Sequence, residues 1–328
     1  MSAATFRVLI TQPVPATAVD RLQAVAEVDM EKDSSRILPR RELMERIRRA
    51  DALFHLMHDG VDAEVIAAGT NLKIIASMSI IPASIDIKAA TARRIPVTTI
   101  PAIVTEATAD LHWTLLLTAA RRMVEADVAA RAGIFPGSQS MHFAGRLVHK
   151  KTLGIVGLGR IGRAVARRGR GFEMTILYYK RSRLSEAEEK ELGVSYVPFD
   201  ELLRRSDYLS INAAFTPETR HLIGERELNL MKPTAVLINT ARGPMVDEAA
   251  LVKALTAGRI AGAGLDVYEE EPKIHPGLLP LKQVVLSPHL GSAVGELREG
   301  MAHVVVDNIL AVKNGQRPPN LYNPEVYG

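Results

Sequence analysis

A chain of 328 residues exceeds what one hydrophobic core usually organises, so two domains are expected. With 47% hydrophobic and 24% charged residues and a net charge of +4 spread among acids, the composition is that of an ordinary globular protein and argues against a nucleic-acid partner. Cysteine is absent, which excludes disulfides, thiolate nucleophiles and cysteine-held metals, and no metal is expected. Met1 to Ile10 has no long apolar core before a cleavage site, and no apolar run approaches the roughly 18 residues of a membrane span, so no membrane partner and a cytoplasmic address are expected.

In chain order, the first hundred residues alternate short strand candidates (Arg7–Ile10, Ala52–Phe54, Lys73–Ala76, Pro96–Thr98) with amphipathic stretches, and they contain no glycine-rich phosphate loop. Ile100-Pro101 is a break, after which Ala102 to about Ala126 reads as one long helix containing Leu111, Leu115 and Thr118. From Lys151 the alternation resumes with Thr152–Leu158, Met174–Tyr179, Tyr208–Asn212, Thr234–Thr240, Ala261–Val267 and Val284–Ser287. Within this stretch Asp247 is placed as a helix N-cap, Leu251 and Leu255 share a face, and Gly258 ends the helix. A last helix from about Ser292 to Asn314 precedes Pro318-Pro319 and is expected to return to the first half.

Gly157-Leu158-Gly159-Arg160-Ile161-Gly162 follows the apolar strand Leu153-Gly154-Ile155-Val156 and opens a helix. In a GxGxxG loop the first glycine permits the tight turn, the second lets the backbone approach a pyrophosphate, and the third allows close helix packing. A purely structural turn is the alternative. The fold expected is therefore α/β: a doubly wound parallel-sheet (Rossmann) domain over residues 101–291 that binds a dinucleotide, with a smaller flavodoxin-like α/β substrate domain formed by residues 1–100 plus 292–328.

An NAD site normally carries an acid about 20 residues beyond the loop. Here Tyr178-Tyr179 is followed by Lys180, Arg181, Ser182 and Arg183, three cations and a hydroxyl that would attract a 2′-phosphate. NADP(H) is expected over NAD(H), the alternative being solvated loop cations.

Five motifs in order resemble the D-isomer-specific 2-hydroxyacid dehydrogenase family, and within it the glyoxylate/hydroxypyruvate reductases. They are Thr105-Glu106-Ala107-Thr108-Ala109-Asp110, the glycine loop, Ile238-Asn239-Thr240-Ala241-Arg242-Gly243, Gly264-Leu265-Asp266-Val267 with Glu271-Pro272, and Ser287-Pro288-His289-Leu290-Gly291-Ser292. The resemblance implies hydride transfer between the cofactor and C2 of a small 2-oxo/2-hydroxy acid. It makes His289 the proton donor and acceptor, Glu271 the group that orients it, and Arg242 the binder of the substrate carboxylate; these residue types suit charge developing on a carbonyl oxygen. It also places Asp266 at the nicotinamide carboxamide, Thr240 and Ala241 along the nicotinamide riboside, Thr216 near the adenosine half, Arg160 and Ile161 on the pyrophosphate, and Thr108 on the nicotinamide side. The segment after Pro101 resembles the arm through which family members form homodimers.

The chain departs from the family where a glycine-containing loop should offer backbone N–H groups to the substrate carboxylate. The corresponding stretch runs Ser77-Met78-Ser79-Ile80-Ile81-Pro82-Ala83-Ser84-Ile85-Asp86, with Ile81 at the glycine position and Pro82 lacking an N–H. Substrate contacts are expected from Met57, Ile80, Ile81 and Arg242; His58 is read more readily as an exposed loop histidine, and for Arg298 a solvated helix face is an equal alternative. Ile80 replaces the lysine of phosphite dehydrogenase, a relative, which argues against phosphite. Ala214 replaces a common proline two residues before Thr216. The alternatives to a glyoxylate/hydroxypyruvate reductase are a dehydrogenase of a non-standard acid, because of the altered loop, and an NADP(H)-sensing, corepressor-like binding protein of the same fold.

Overall fold

The β-branched runs form two wholly parallel sheets in a computed structural model that describes residues 5–139 and 141–328. Strands β1 (Arg7–Ile10), β2 (Glu27–Met30), β3 (Ala52–His55), β4 (Ile74–Ser77) and β5 (Val97–Thr98) make the first sheet, in the order β2-β1-β3-β4-β5. Strands β6 (Thr152–Val156), β7 (Thr175–Tyr179), β8 (Ser195–Tyr196), β9 (Tyr208–Ile211), β10 (Val236–Asn239), β11 (Gly262–Leu265) and β12 (Val284–Leu286) make the second, in the order β12-β11-β10-β9-β6-β7-β8. The first order is the flavodoxin-like one, and the second, counted from β6, is the Rossmann order with one further strand, so the expected fold class is borne out. The chain divides into two compact units, Met1–Ile103 with Ala293–Gly328, and Val104–Ser292.

Parallel sheets covered on both faces need strands apolar throughout, and β3, β4, β9, β10 and β11 are buried along their whole length. The strand β2 was not expected: its Glu-Val-Asp-Met alternates exposed and half-buried positions because it forms an edge. Strand β8, also an edge, is too short to make a pattern.

In the second unit the helix Thr105–Arg121 lies against β10 and β11, and Trp113 joins it to the helix Arg160–Arg170 by donating from Nε1 to the Val165 carbonyl at 3.2 Å. The single long helix expected here is broken: Arg122 takes a left-handed φ of 53°, and a second helix runs Met123–Arg131. Its guanidinium holds the break by donating to both Glu125 oxygens, at 3.1 and 2.8 Å, and to the His142 carbonyl at 3.1 Å. Asp247 caps its helix as expected, accepting from the Ala250 amide at 2.9 Å, and Gly258 beyond the other end has φ 64°. In the first unit the helix Gly295–Lys313 packs on Ala16–Gln23, β3 and β4, with Arg21 and Asp307 paired at 2.7 Å.

Candidate active site

In the second sheet the chain moves outward from β6 to β8, then crosses back to β9. The carboxyl ends of β6 and β9 are therefore the switch point at which open α/β sheets bind ligands. The turn after β6 requires glycine: Gly157 has φ 88°, and a Cβ there would lie 2.5 Å from the Ala213 backbone. A Cβ on Gly162 would stand 2.3 Å from the Gly157 carbonyl oxygen, so the helix start packs directly on the turn. At Gly159, by contrast, a Cβ would meet no protein atom within 4 Å. Gly159 is also the helix N-cap and supplies no side-chain cap, which leaves the first-turn amides beside Arg160 and Ile161 available to an anion. This cradle fits the diphosphate of a dinucleotide.

The cations after β7 divide into two kinds. Arg183 is engaged: its guanidinium forks onto Glu189 with two bonds of 2.8 Å, and the buried Tyr178 hydroxyl donates to the same carboxylate at 2.7 Å while accepting from the Leu184 amide at 2.9 Å. Arg183 and then Tyr178 hold the Glu189 carboxyl down to about 2. Lys180, Arg181 and Ser182 form no ion pair or side-chain hydrogen bond among the described residues, although the charge of Arg181 acts on Glu218. Glu189 was not singled out from sequence; the Ser185–Glu188 capping box, which starts a helix just after the cations, is the signal that could have found it.

Arg242 follows β10 in a turn clamped by buried Asn239, whose Oδ1 accepts from the Ala241 amide at 3.0 Å and whose Nδ2 donates to the Arg242 carbonyl at 3.0 Å. A Cβ on Gly243 would fall 1.9 Å from the Tyr268 carbonyl, so only glycine lets this turn touch the segment leading to Glu271. One Glu271 oxygen accepts from the Tyr268 amide at 3.0 Å, and the other lies 2.7 Å from His289 Nδ1. Burial raises the Glu271 carboxyl, but the bond and charge of His289, the Tyr268 amide and the charge of Arg242 outweigh it, leaving the group below its ordinary range. The structure thus brings the three residues of the expected trio to one end of one sheet.

His289 sits at φ 55°, a left-handed conformation that its surroundings fix. Its amide donates to the Asp266 carbonyl at 2.9 Å, while the Asp266 carboxylate accepts from Ser287 Oγ at 2.6 Å, the Leu290 amide at 2.7 Å and the Gly291 amide at 2.9 Å. Burial pushes the Asp266 carboxyl above its ordinary value, with those donors and His289 opposing. Thr108 donates to the Gly291 carbonyl at 3.1 Å, so both residues hold the His289 loop. Buried Thr240 Oγ1 and Asn212 Oδ1 have no protein partner among the described residues, which suits a polar ligand at this end of the sheet. Ala241 stands in the clamped turn, and the Thr216 amide donates to Thr219 Oγ1 at 2.7 Å. Asn239 lay inside a quoted motif without a role, because its task becomes visible only with the turn it closes.

The other expected substrate residues belong to the first unit. Met57 lies beyond β3, and Ile80 and Ile81 beyond β4; Met57 and Ile81 are exposed. Arg298, on the helix Gly295–Lys313, makes no ion pair or side-chain hydrogen bond among the described residues, and burial pushes its pKa down.

Comparison with known proteins bears on this constellation. The model of the D-isomer specific 2-hydroxyacid dehydrogenase NAD binding domain matches residues 113–291, a span that holds the glycine loop and all three trio residues. A glyoxylate reductase of Thermococcus litoralis is 49% identical over 324 residues, 98% of this chain and 97% of that protein. A solved glyoxylate reductase from Paecilomyes thermophila has a TM-score of 0.78 at 35% identity, covering 98% of this chain and 99% of that one. The solved NADPH-dependent glyoxylate/hydroxypyruvate reductase of Sinorhizobium meliloti, in complex with citrate, has a TM-score of 0.78 at 30% identity and covers 98% of each chain.

Proposed function

The chain belongs to the D-isomer-specific 2-hydroxyacid dehydrogenase family of oxidoreductases, and we propose that it is an NADP-dependent reductase of a small 2-oxo acid of the glyoxylate/hydroxypyruvate class. The observation that carries this reading is the His289–Glu271 pair at 2.7 Å, on the same sheet end as Arg242 and the glycine loop. We assign dinucleotide binding to the unit Val104–Ser292 and substrate docking to the other.

When bound, the nicotinamide supplies the hydride that reaches C2. His289 gives a proton to the carbonyl oxygen, and takes one from the hydroxyl in the reverse direction. Glu271 holds the imidazole by Nδ1, which leaves Nε2 for the substrate. Arg242 binds the carboxylate and polarises the carbonyl. Asp266 and Thr108 keep the His289 loop in place on the nicotinamide side, Thr240 and Ala241 follow the riboside, and Thr216 lies toward the adenosine half. Gly157, Gly159, Gly162 and the amides of Arg160 and Ile161 take the diphosphate. Met57, Ile80 and Ile81 form the substrate wall of the first unit.

NADP(H) preference is supported by Lys180, Arg181 and Ser182, whose side chains have no partner among the described residues and would take the 2′-phosphate, while Arg183 shapes the loop through Glu189. The Sinorhizobium meliloti relative is NADPH-dependent by its description. A homodimer is supported by the helix Met123–Arg131, which buries no side chain and leaves Val128 64% exposed, and by Phe135 just beyond it, 80% exposed. Among the described residues no helix is long and apolar enough to cross a membrane. The test is oxidation of NADPH and NADH, followed by absorbance, with glyoxylate, hydroxypyruvate and larger 2-oxo acids. Tight NADPH binding without turnover would identify a nucleotide sensor instead.

A further inference from the structure

At the carboxyl end of the first sheet, adjacent strands end in polar residues rather than apolar ones. Thr11 follows β1, His55 closes β3, and Ser77 closes β4 directly opposite His55 in the register, with Asp59 and Ser79 in the loops beyond. None of the five is more than 8% exposed. Burying so many polar groups is unfavourable unless each finds a partner.

Each does. His55 Nδ1 lies 2.9 Å from Ser77 Oγ, and Nε2 lies 3.1 Å from the Asp59 carbonyl and 3.0 Å from Ser84 Oγ. Ser77 Oγ is 2.7 Å from Ser79 Oγ, which donates to the Ile81 carbonyl at 3.1 Å. On the other side, Asp59 accepts from Thr11 Oγ1 at 2.7 Å and from the Leu56 amide at 2.9 Å, and its second oxygen is 3.3 Å from His58 Nε2. Burial holds the His55 imidazole below its ordinary value despite the charge of Asp59, so the ring is neutral.

His55 therefore ties together the segment 56–59, which carries Met57, and the segment 78–84, which carries Ile80 and Ile81. A satisfied buried network of this kind fixes one geometry. The second segment has no glycine, Ile81 is not among the residues of positive φ, and Pro82 has no N–H, so backbone freedom does not set its shape. The amides of Ile80 and Ile81 donate to no acceptor among the described residues.

We infer that His55 is a positioning residue for substrate binding: through Ser77 and Ser79 it fixes the backbone of Ile81, and through Ser84 and Asp59 it locks both loops, so that the Ile80 and Ile81 amides are held ready for a 2-oxo acid's carboxylate. The network does in this chain what a glycine loop cannot do here. The inference rests on the reductase reading.

The test compares Ser79→Ala, Ser79→Thr and His55→Gln with the unaltered protein. Ser79→Ala and His55→Gln should raise KM for glyoxylate about tenfold, the scale of one lost buried hydrogen bond, and leave kcat and the KM for NADPH within about twofold. Ser79→Thr, which restores the hydroxyl, should return KM toward the unaltered value. Hydrogen exchange at the Ile80 and Ile81 amides, read without any substrate, should speed up in Ser79→Ala and His55→Gln. The inference is overturned if folded Ser79→Ala leaves both glyoxylate KM and this exchange unchanged, or if kcat and the KM for NADPH shift as much as the KM for the acid. If the unaltered protein reduces no 2-oxo acid, the reductase reading fails on its own, and the exchange rates still decide whether His55 orders the loops.

Discussion

Replacing Gly159 by alanine separates the fold of the phosphate loop from its use. Gly159 sits at φ −80°, which alanine adopts freely, and the added methyl would meet no protein atom within 4 Å. Removing glycine's freedom in the unfolded chain favours the fold by roughly 0.4–1 kcal/mol. Alanine is a poorer N-cap than glycine by about the same amount, so the two effects offset. The melting temperature should then move by less than about 2 °C. A diphosphate seated on the helix N-terminus would need the space that the methyl enters. NADPH affinity should fall about tenfold or more, that is by ~1.4 kcal/mol or more. Gly162→Ala is the contrast: its Cβ would stand 2.3 Å from the Gly157 carbonyl oxygen, so both folding and binding suffer, with about 1–3 kcal/mol lost from stability. Fluorescence titration with NADPH and a thermal melt on the same samples read both quantities. An unchanged Kd for Gly159→Ala would refute the placement of the diphosphate.

Three further outcomes are expected. His289→Ala should lose on the order of 10²-fold in kcat, and near-full activity would remove the residue from the mechanism. His112 is fully buried with no partner for Nε2 among the described residues, and burial holds its pKa down to about 3 from an ordinary 6.5. Because the folded value is depressed, its contribution to stability is whole above pH 6.5 and is lost as pH falls toward 3, at a cost of about 2 kcal/mol by pH 5. His112→Leu should flatten that part of the stability profile, and parallel acid slopes in variant and parent would contradict it. Val128→Glu, on the exposed apolar helix, should halve the mass found by sedimentation, and a monomeric parent protein would end the dimer proposal.

The second sheet was legible because strands buried on both faces read as continuous apolar runs, and because the loop at Gly157 has a spacing dictated by sterics. The edge strand β2 was not, since Glu27 and Asp29 alternate with apolar residues as they do in many loops. The break at Arg122 carries no glycine or proline, and depends on Glu125 and the distant His142 carbonyl. The trio could be named from its motifs, but the devices that hold it could not: Asn239 acts by closing a turn, and Asp266 by gathering Ser287, Leu290 and Gly291. Arg183 looked like the other cations after β7 until its bonds to Glu189 set it apart. His55, Ser77, Ser79 and Ser84 are individually unremarkable in sequence and become a network only when β3 and β4 pair in register.

The most direct measurement is kcat/KM for glyoxylate reduction with NADPH and with NADH, taken side by side on the unaltered protein. Turnover should require both cofactor and acid, with a preference for NADPH of at least about tenfold, the scale of a charge-assisted phosphate contact. Equal values for the two cofactors would contradict the role given to Lys180, Arg181 and Ser182, and no turnover of any 2-oxo acid would contradict the reductase reading itself.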